Sequence, residues 1–378
     1  MAVLPLTGFV VGVTADRRAD EQIELLRRRG AATLHGPTIK TLPLDADQAL
    51  RSRTDDMLAN PPDFVIANTG IGMRAWFMAA ENWGIGDRLL DALSGAQVFA
   101  RGPKASAAAH AAGLEVAWRA PSERLDEVVD LLLAEPLAGK RVAYQEHGAE
   151  PGDVLARLTD AGAIVIRIPV YRWIVPDDTT AAERLLDAIV NRRVHAVTFT
   201  SAPAVRNLFA LAESLGLDEP LRSALQGPVI VASVGLVCSG ELSDAGVSDV
   251  VMPAKPRLGL LVRSLSHELA RTLRRITVGD HVVRVQGSAL FVDDSHLILS
   301  EREAAVLTQF VERPGVVISK ASLLQTVWAG NNDEHVVEVT VSRLRSRLGA
   351  VGSALRTVQR RGYVLDATAS DGELHESA

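Results

Sequence analysis

From Gly8 to about Arg257 the chain alternates short, apolar, β-branched runs with amphipathic stretches of helical period. The runs are GFVVGVT (8–14), DFVIANT (63–69), AQVFA (96–100), LEVAW (114–118), KRVAYQ (140–145), AIVIRI (163–168), HAVTFT (195–200), PVIVAS (228–233) and SDVVMP (248–253). Between them lie helix candidates at Ala19–Arg29, Met73–Asn82, Ser122–Leu133, Asp153–Asp160, Thr180–Asn191 and Ala202–Leu215. A strand that is apolar on both faces needs cover on both faces, so the pattern predicts parallel sheets wrapped by helices, an α/β body. A unit of strand, small-residue turn, helix and a closing glycine-containing strand occurs at AQVFARGPKASAAAHAAGLEV and again at PVIVASVGLVCSGELSDAGVSDV. Such a repeat favours two similar lobes over one large sheet. The proline-bearing segments around His35–Leu44 and Pro169–Pro176 read as paired crossings between them.

After a helix at Leu258–Leu273 the period changes. HVVRVQ, SALFVD and HLILS are three short strands joined at Gly287–Ser288 and Asp293–Asp294. Helices follow at Glu301–Glu312, Lys320–Trp328 and Glu334–Leu348, then a hairpin-like RTVQRRGYVL. Charge changes at the same place: residues 1–270 carry a net −6, residues 271–363 a net +4 and residues 364–378 a net −4. A basic module on an acidic body is how an appended nucleic-acid-binding domain reads. In the third helix Val337, Val341, Leu344 and Leu348 share one apolar face, which turns His335, Thr340, Ser342, Arg343 and Arg347 elsewhere. An arginine-bearing face behind a short turn suits the major groove. The polar, acidic residues 368–378 are expected to be a disordered tail.

A chain of 378 residues suits two to three domains. Its single cysteine, Cys238, excludes an internal disulfide and a thiolate zinc cluster. The histidines form no HxxH or HExxH pair, so a metal enzyme is not expected. No apolar run approaches the roughly 18 residues a bilayer requires, and the start lacks a basic leader, which predicts a cytoplasmic protein without membrane contact. FVIANT ends without the aspartate a phosphorelay receiver would need. NTGIGMRAW has the dinucleotide form GxGxxA at Gly70, Gly72 and Ala75, but no acidic strand end follows it. Helix amino ends bind any anion, so Thr69, Gly70 and Gly72, the ARGPKAS turn with Arg101 and Lys104, and the FTSAPAV turn with Thr200 and Ser201 are candidate ligand contacts. Taken singly, each is more often just a helix cap.

The stretch from LSEREAAVL to RTVQRRGYVL resembles the winged helix-turn-helix effector domain of OmpR/PhoB-type response regulators. Leu299–Ser300, the ERPG turn, Ser319, Leu323–Leu324, Val327–Trp328, SRLRSRLG and RTVxxxGYxL carry the likeness. It implies a small α+β domain over 276–367 that binds double-stranded DNA. Trp328 would touch phosphate, His335, Thr340, Ser342, Arg343 and Arg345 would lie on or beside the recognition surface, and Thr357 would meet the DNA backbone. The family wing reads RGxGY; here Gln359-Arg360-Arg361-Gly362-Tyr363 moves its contact to Arg360 or Arg361. One winged helix reads a short half-site, so a homo-oligomer is expected.

The body resembles uroporphyrinogen-III synthase through VGVTADRRADEQIELLRRRGA, DFVIANTGIGM, FARGPKASAAAHAAGLEV, VYRW, AVTFTSAPAVRNLF and VASVGLVCSGELSDAGV. The resemblance implies a two-lobed parallel-sheet body over 1–265, with lobe A at about 1–40 plus 172–265 and lobe B at about 41–171. It also implies a cleft in which hydroxymethylbilane, a linear tetrapyrrole, is dehydrated and cyclised without cofactor, Tyr171 assisting departure of the hydroxyl. Departures weaken the enzyme reading. Thr14-Ala15-Asp16 stands where the family often has T-R-P, with Arg17 displaced, and Gly235-Leu236-Val237-Cys238 stands where it has G-x-T-T. Tyr171, Lys104, Thr200 and Ser201 remain, with the displaced Arg17 a further candidate ligand contact, so binding of a tetrapyrrole or other anionic ligand without turnover is the simpler account. Actinobacterial proteins of this fusion include regulators of nitrate and nitrite assimilation, whose nitrite reductase uses a haem made from uroporphyrinogen III. The expectation is a transcription regulator with a synthase-like sensor; the alternative is a bifunctional synthase that also binds DNA.

Overall fold

The computed structural model describes residues 4–43, 48–146, 153–328 and 333–369. They fall into two compact units, Met1–Thr38 with Pro176–Ala378, and Ile39–Val175. The chain opens the first unit with β1 (Val10–Val13), α1 (Ala19–Arg27) and β2 (Ala32–His35). It enters the second through β3 (Lys40–Pro43), runs α2 (Gln48–Ala59), β4 (Phe64–Ala67), α3 (Gly70–Asn82), α4 (Gly86–Ser94), β5 (Gln97–Ala100), α5 (Pro103–Ala111) and β6 (Val116–Arg119), then α6 (Leu125–Leu132), β7 (Arg141–Gln145), α7 (Val154–Asp160) and β8 (Ile164–Ile168). It leaves by β9 (Tyr171–Ile174), which pairs antiparallel with β3, so the predicted crossings do pair. The first unit is then completed by α8 (Thr180–Val190), β10 (Ala196–Phe199), α9 (Ala202–Ser214), α10 (Asp218–Leu225), β11 (Ile230–Ser233), α11 (Leu236–Asp244), β12 (Val250–Val251) and α12 (Leu258–Arg271).

Each unit holds one parallel five-stranded sheet, ordered β12-β11-β10-β1-β2 in the first and β6-β5-β4-β7-β8 in the second. The apolar runs form these strands because they are buried on both faces. In β4, Val65 and Ala67 pack towards Met73 and Trp76, whereas Phe64 and Ile66 pack towards Val128 and Leu132. In each sheet the winding direction reverses once, between β1 and β10 and between β4 and β7. At such a reversal the carboxyl ends of the strands open the crevice where α/β sheets place ligands.

The rest of the first unit is the winged part. β13 (Arg274–Val278), β14 (His281–Gln286), β15 (Ala289–Val292) and β16 (Ser295–Ile298) precede α13 (Glu301–Val311), α14 (Lys320–Val327) and α15 (His335–Arg347). A 3-10 turn at Gly349–Ala354 leads to the hairpin β17 (Leu355–Val358) and β18 (Gly362–Leu365), and β19 (Thr368–Ala369) closes the element list. A reciprocal Ser300–Glu303 capping box starts α13, and Ser319 accepts from the Ser322 amide to start α14. Val337, Val341 and Leu344 are fully buried and Leu348 is 2% exposed, as the helical spacing predicts. Two strands depart from expectation. β13 was not read from the sequence, and Thr368–Ala369, assigned to the disordered tail, instead pairs with it. Residues 370–378 of that tail lie outside the described residues. Among the described residues no helix is long and apolar enough to cross a membrane.

Candidate functional site

The recognition helix α15 separates its arginines by reach. Arg345 turns back into the domain: its Nε donates to the Leu355 carbonyl at 2.5 Å, its Nη2 to Thr357 Oγ1 at 2.7 Å, and its guanidinium lies 5.6 Å from the Tyr363 ring centre. Arg347 donates to the Ile298 carbonyl and stands 3.7 Å from Glu303. Both therefore hold the fold together, and Thr357 serves as an acceptor within it. Arg343 and Ser342 are exposed, and among the described residues Arg343 has no hydrogen-bond or ion-pair partner. His335 is exposed 3.6 Å from Glu338, and Thr340 bonds back to the Val336 carbonyl at 2.7 Å. Lys320 is neutralised by Glu338 and Glu334, the hydrogen bond to Glu338 holding the lysine above its ordinary pKa. Trp328 is 9% exposed, with the Arg302 guanidinium 5.7 Å over its ring.

The wing presents Arg360 and Arg361, both exposed and without an ion pair among the described residues. Arg360 takes a left-handed φ of 58° at the tip of the hairpin. The hairpin is fixed next to its tip because Gly362 lies against Ile318, whose carbonyl would stand 2.0 Å from any added Cβ. On the recognition helix and the wing, what is left for a polyanion among the described residues is thus Arg343, Arg360 and Arg361. Arginine on a groove-entering helix bonds base edges and phosphate, and wing arginines add phosphate or minor-groove contacts.

At the carboxyl edge of β1 and β10, Thr14 and Thr198 lock the strands: Thr14 Oγ1 donates to the Thr198 carbonyl at 2.9 Å, and Thr198 Oγ1 to the Gly12 carbonyl at 3.0 Å. Beyond them Arg17 is exposed without an ion pair among the described residues, while Thr200 and Ser201 are half-buried. Ser201 occupies the N-cap position of α9 with no side-chain cap bond. The neighbouring turn is apolar, with Leu236 78% and Val237 82% exposed. Burial pushes the Cys238 thiol up to about 12, which leaves it protonated and unreactive.

At the carboxyl edge of β4 and β7, Gln145 fills the turn that the sequence offered as an anion site. Its Oε1 accepts from the Asn68 and Thr69 amides at 2.9 and 3.2 Å, and Thr69 Oγ1 accepts from the Gly72 amide at 3.1 Å. A Cβ on Gly72 would lie 1.5 Å from Gln145 Nε2, and one on Gly70 2.2 Å from the Lys104 carbonyl. The two glycines are thus sites of close internal approach. Gln145 was not singled out from the sequence; a strand-ending glutamine carries no signal of its own. Tyr171 is 4% exposed within the apolar cluster around Trp76. Lys104 is exposed, and Arg101 is half-buried with no hydrogen bond or ion pair among the described residues, burial lowering its pKa.

The first unit also contains a tight joint between the winged part and the start of β1. Gln286 Nε2 donates to the carbonyls of Pro5 and Thr7 at 2.9 and 2.8 Å, and the Ser288 amide and hydroxyl donate to the Gly8 carbonyl at 2.8 and 2.9 Å. Gly8 and Gly287 meet face to face in left-handed conformations, φ 89° and 55°. A Cβ on Gly8 would lie 2.4 Å from the Ala289 amide nitrogen, and one on Gly287 2.4 Å from the Gly8 carbonyl.

Comparison with known proteins matches two stretches of the chain. Residues 20–263 match the family described as uroporphyrinogen-III synthase HemD, and residues 294–365 the family described as transcriptional regulatory protein, C terminal. The Bacillus subtilis protein YjjA is 28% identical, over 69% of this chain and 96% of its own. The Mycobacterium tuberculosis transcriptional regulatory protein PrrA is 28% identical, over 49% of this chain and 82% of its own. A solved uroporphyrinogen III synthase variant from Thermus thermophilus superposes with a TM-score of 0.56 at 26% identity, covering 70% of this chain and 99% of that one. The chain belongs to the uroporphyrinogen-III synthase HemD family, and behind that body it carries a DNA-binding domain of the OmpR/PhoB type.

Proposed function

We propose that the chain is a transcription regulator in which the synthase-like body binds an anionic ligand, of tetrapyrrole type, and thereby sets the affinity of the winged helix for its operator. The observation that carries this reading is the glycine joint. The hairpin turn at Gly287–Ser288 is fastened to Gly8, two residues before β1, and β1 ends at the Thr14–Arg17 edge. A ligand held by Arg17, Thr200 and Ser201 would act on a strand whose other end is bolted to the winged part. Coupling then requires only that the ligand prefer one of two arrangements of that strand. Arg343, Arg360 and Arg361 are the residues we assign to DNA, acting in a cytoplasmic homo-oligomer that reads paired half-sites. Its targets, on this reading, are nitrate and nitrite assimilation genes or genes that draw on tetrapyrrole supply.

The test is operator binding with and without ligand. Immunoprecipitated chromatin should yield promoters of those gene classes, and fluorescence anisotropy on such a promoter should shift when uroporphyrin III is added. Affinity that ignores uroporphyrin III and every other tetrapyrrole acid would refute the sensor. Membership of the HemD family keeps a second reading open, a synthase that also binds DNA. Incubation with freshly generated hydroxymethylbilane decides it: a III-rich product at enzymatic rates favours the synthase, the spontaneous I isomer the sensor.

A further inference from the structure

In the second unit, the carboxyl ends of β4, β5 and β7 bring together a polar group on the face of the sheet opposite to Gln145. Ile66 pairs with both Phe99 and Tyr144, and strand alternation puts Asn68 on that same face. Asn68 Nδ2 accordingly donates to the Tyr144 hydroxyl at 2.8 Å. Ala67 pairs with Ala100, and the Arg101 amide donates to the Ala67 carbonyl at 3.0 Å, so Arg101 follows β5 directly beside Asn68. Two members of the group lack partners. Asn68 is 2% exposed, and its Oδ1 has no hydrogen bond among the described residues. Arg101 is half-buried and has neither hydrogen bond nor ion pair among them.

Burial lowers the Arg101 pKa, and the groups that act against burial are Tyr171, Tyr144 and, last, Glu123. A phenol is uncharged at neutral pH, and burial pushes that of Tyr144 further up. Glu123 is exposed over Gly102, its Oε2 3.3 Å from where a Gly102 Cβ would stand, and makes no ion pair with Arg101. Arg167, the other cation acting on Tyr144, is already paired with Glu146. A guanidinium drawn partly out of water with no partner is costly until an anion reaches it. We propose that Arg101, backed by Asn68 and Tyr144, is a carboxylate-binding site, additional to the ligand assigned to Arg17, Thr200 and Ser201 and independent of that reading. The planar guanidinium fork takes a carboxylate through two parallel N–H donors. One carboxylate charge balances one cation, whereas a phosphate monoester would bring nearly two beside Glu123. Asn68 completes the site by turning its amide over. The Tyr144 hydroxyl then donates to Oδ1, Nδ2 donates to the bound carboxylate, and both missing partners are supplied at once.

The test is chemical and uses the full-length chain. Phenylglyoxal condenses with guanidinium groups, and peptide mass spectrometry reads the rate at Arg101 with propionate, inorganic phosphate or chloride at equal ionic strength. Propionate at about 20 mM should slow modification of Arg101 about threefold, as millimolar binding through one bidentate contact implies. It should leave the exposed Arg88 unchanged, and phosphate should protect Arg101 less. Asn68→Asp sets a fixed carboxylate beside Arg101, so modification should already be slow and propionate should add nothing. Tyr144→Phe removes only the hydroxyl that holds the turned amide and should weaken the protection. Equal slowing at Arg101 and Arg88 would be a general effect of salt and overturns the proposal, as does an Arg101 that propionate leaves unprotected or that reacts in no buffer. Stronger protection by phosphate overturns the carboxylate assignment. Should Asn68→Asp fail to fold, Tyr144→Phe decides, and undiminished protection there removes Asn68 and Tyr144 from the site.

Discussion

At the carboxyl edge of β4 and β7 the turn amides are consumed by Gln145 and Thr69, whereas at the same edge of β1 and β10 Thr14 and Thr198 bond to backbone carbonyls between the strands and no side chain caps α9. The two sheets share one winding, so the fold does not dictate this difference. It comes from single side chains: a glutamine long enough to reach over the β4 turn in one unit, and two threonines that bond sideways along their strands in the other. The turn with the recognisable GxG spelling is the closed one. The turn with no such spelling leaves Arg17 exposed, Thr200 half-buried and the Ser201 side chain without a cap bond.

The sharpest way to break this comparison is steric. Gly70→Ala would drive a Cβ to within 2.2 Å of a backbone carbonyl, which cannot swing aside. We expect a loss of about 3 kcal/mol, read as a lowered unfolding midpoint in urea. At the other edge Gly235→Ala meets nothing nearer than the Pro256 Cβ at 3.5 Å. It should cost about 1 kcal/mol or less, mainly through a poorer N-cap. Similar losses at both positions would mean that the glycines are not doing different jobs.

Next in size is the polar version. Gln145→Ala strands the Asn68 and Thr69 amides without their acceptor in a buried turn, an expected loss of about 2–3 kcal/mol. Thr198→Val removes one donor to the Gly12 carbonyl and leaves the Thr14 bond in place, an expected loss of about 1 kcal/mol. Thermal unfolding of the two variants side by side checks the ranking. A Gln145 variant as stable as wild type would mean that water replaces the side chain, and the closed edge would then be an anion site after all.

The sequence announced the strands because burial on both faces leaves few residue types, as in Phe64–Ala67. It hid α2, whose QALRSRTDDMLA buries only Leu50, Thr54 and Met57 and so shows a thin apolar stripe. It hid β2, an edge strand with no fully buried residue, and β19, which is two residues long. Arg343 and Arg345 look alike in SRLRSR. Only the folded wing, two elements later, shows that the second is tied to Leu355 and Thr357 and the first is not. Sites made by side chains meeting from distant strands, such as Gln145 over Thr69, leave no local pattern at all.

The smallest expected effect concerns acid, and it should reach the two sheets at different pH. In the first unit His195 Nδ1 accepts from the Val10 amide at 3.0 Å with the Phe9 ring edge-on at 5.4 Å, and burial lowers its pKa from 6.5. The folded chain therefore resists a proton that the unfolded chain accepts, so stability falls as pH drops below about 6.5 towards the folded value. In the second unit Asp63 accepts from the Arg141 amide and from Lys140, at 2.9 and 2.8 Å, and these bonds, the backbone one foremost, hold its pKa below 3.8. Its contribution is intact above 3.8 and is lost only as pH falls below that. Amide exchange, corrected for its intrinsic pH dependence, should show β1 and β10 loosening as pH falls below about 6.5 while β4 and β7 hold until pH nears 3.8. His195→Gln should abolish that early loosening. Because Val10 follows Gly8 and Phe9 directly, the same window should loosen the Gly8–Gly287 joint, and β1 and the turn at Gly287 should lose protection together. If β4 and β7 loosen at the same pH, the two sheets respond as one body and the edges do not differ in the way their hydrogen bonds imply.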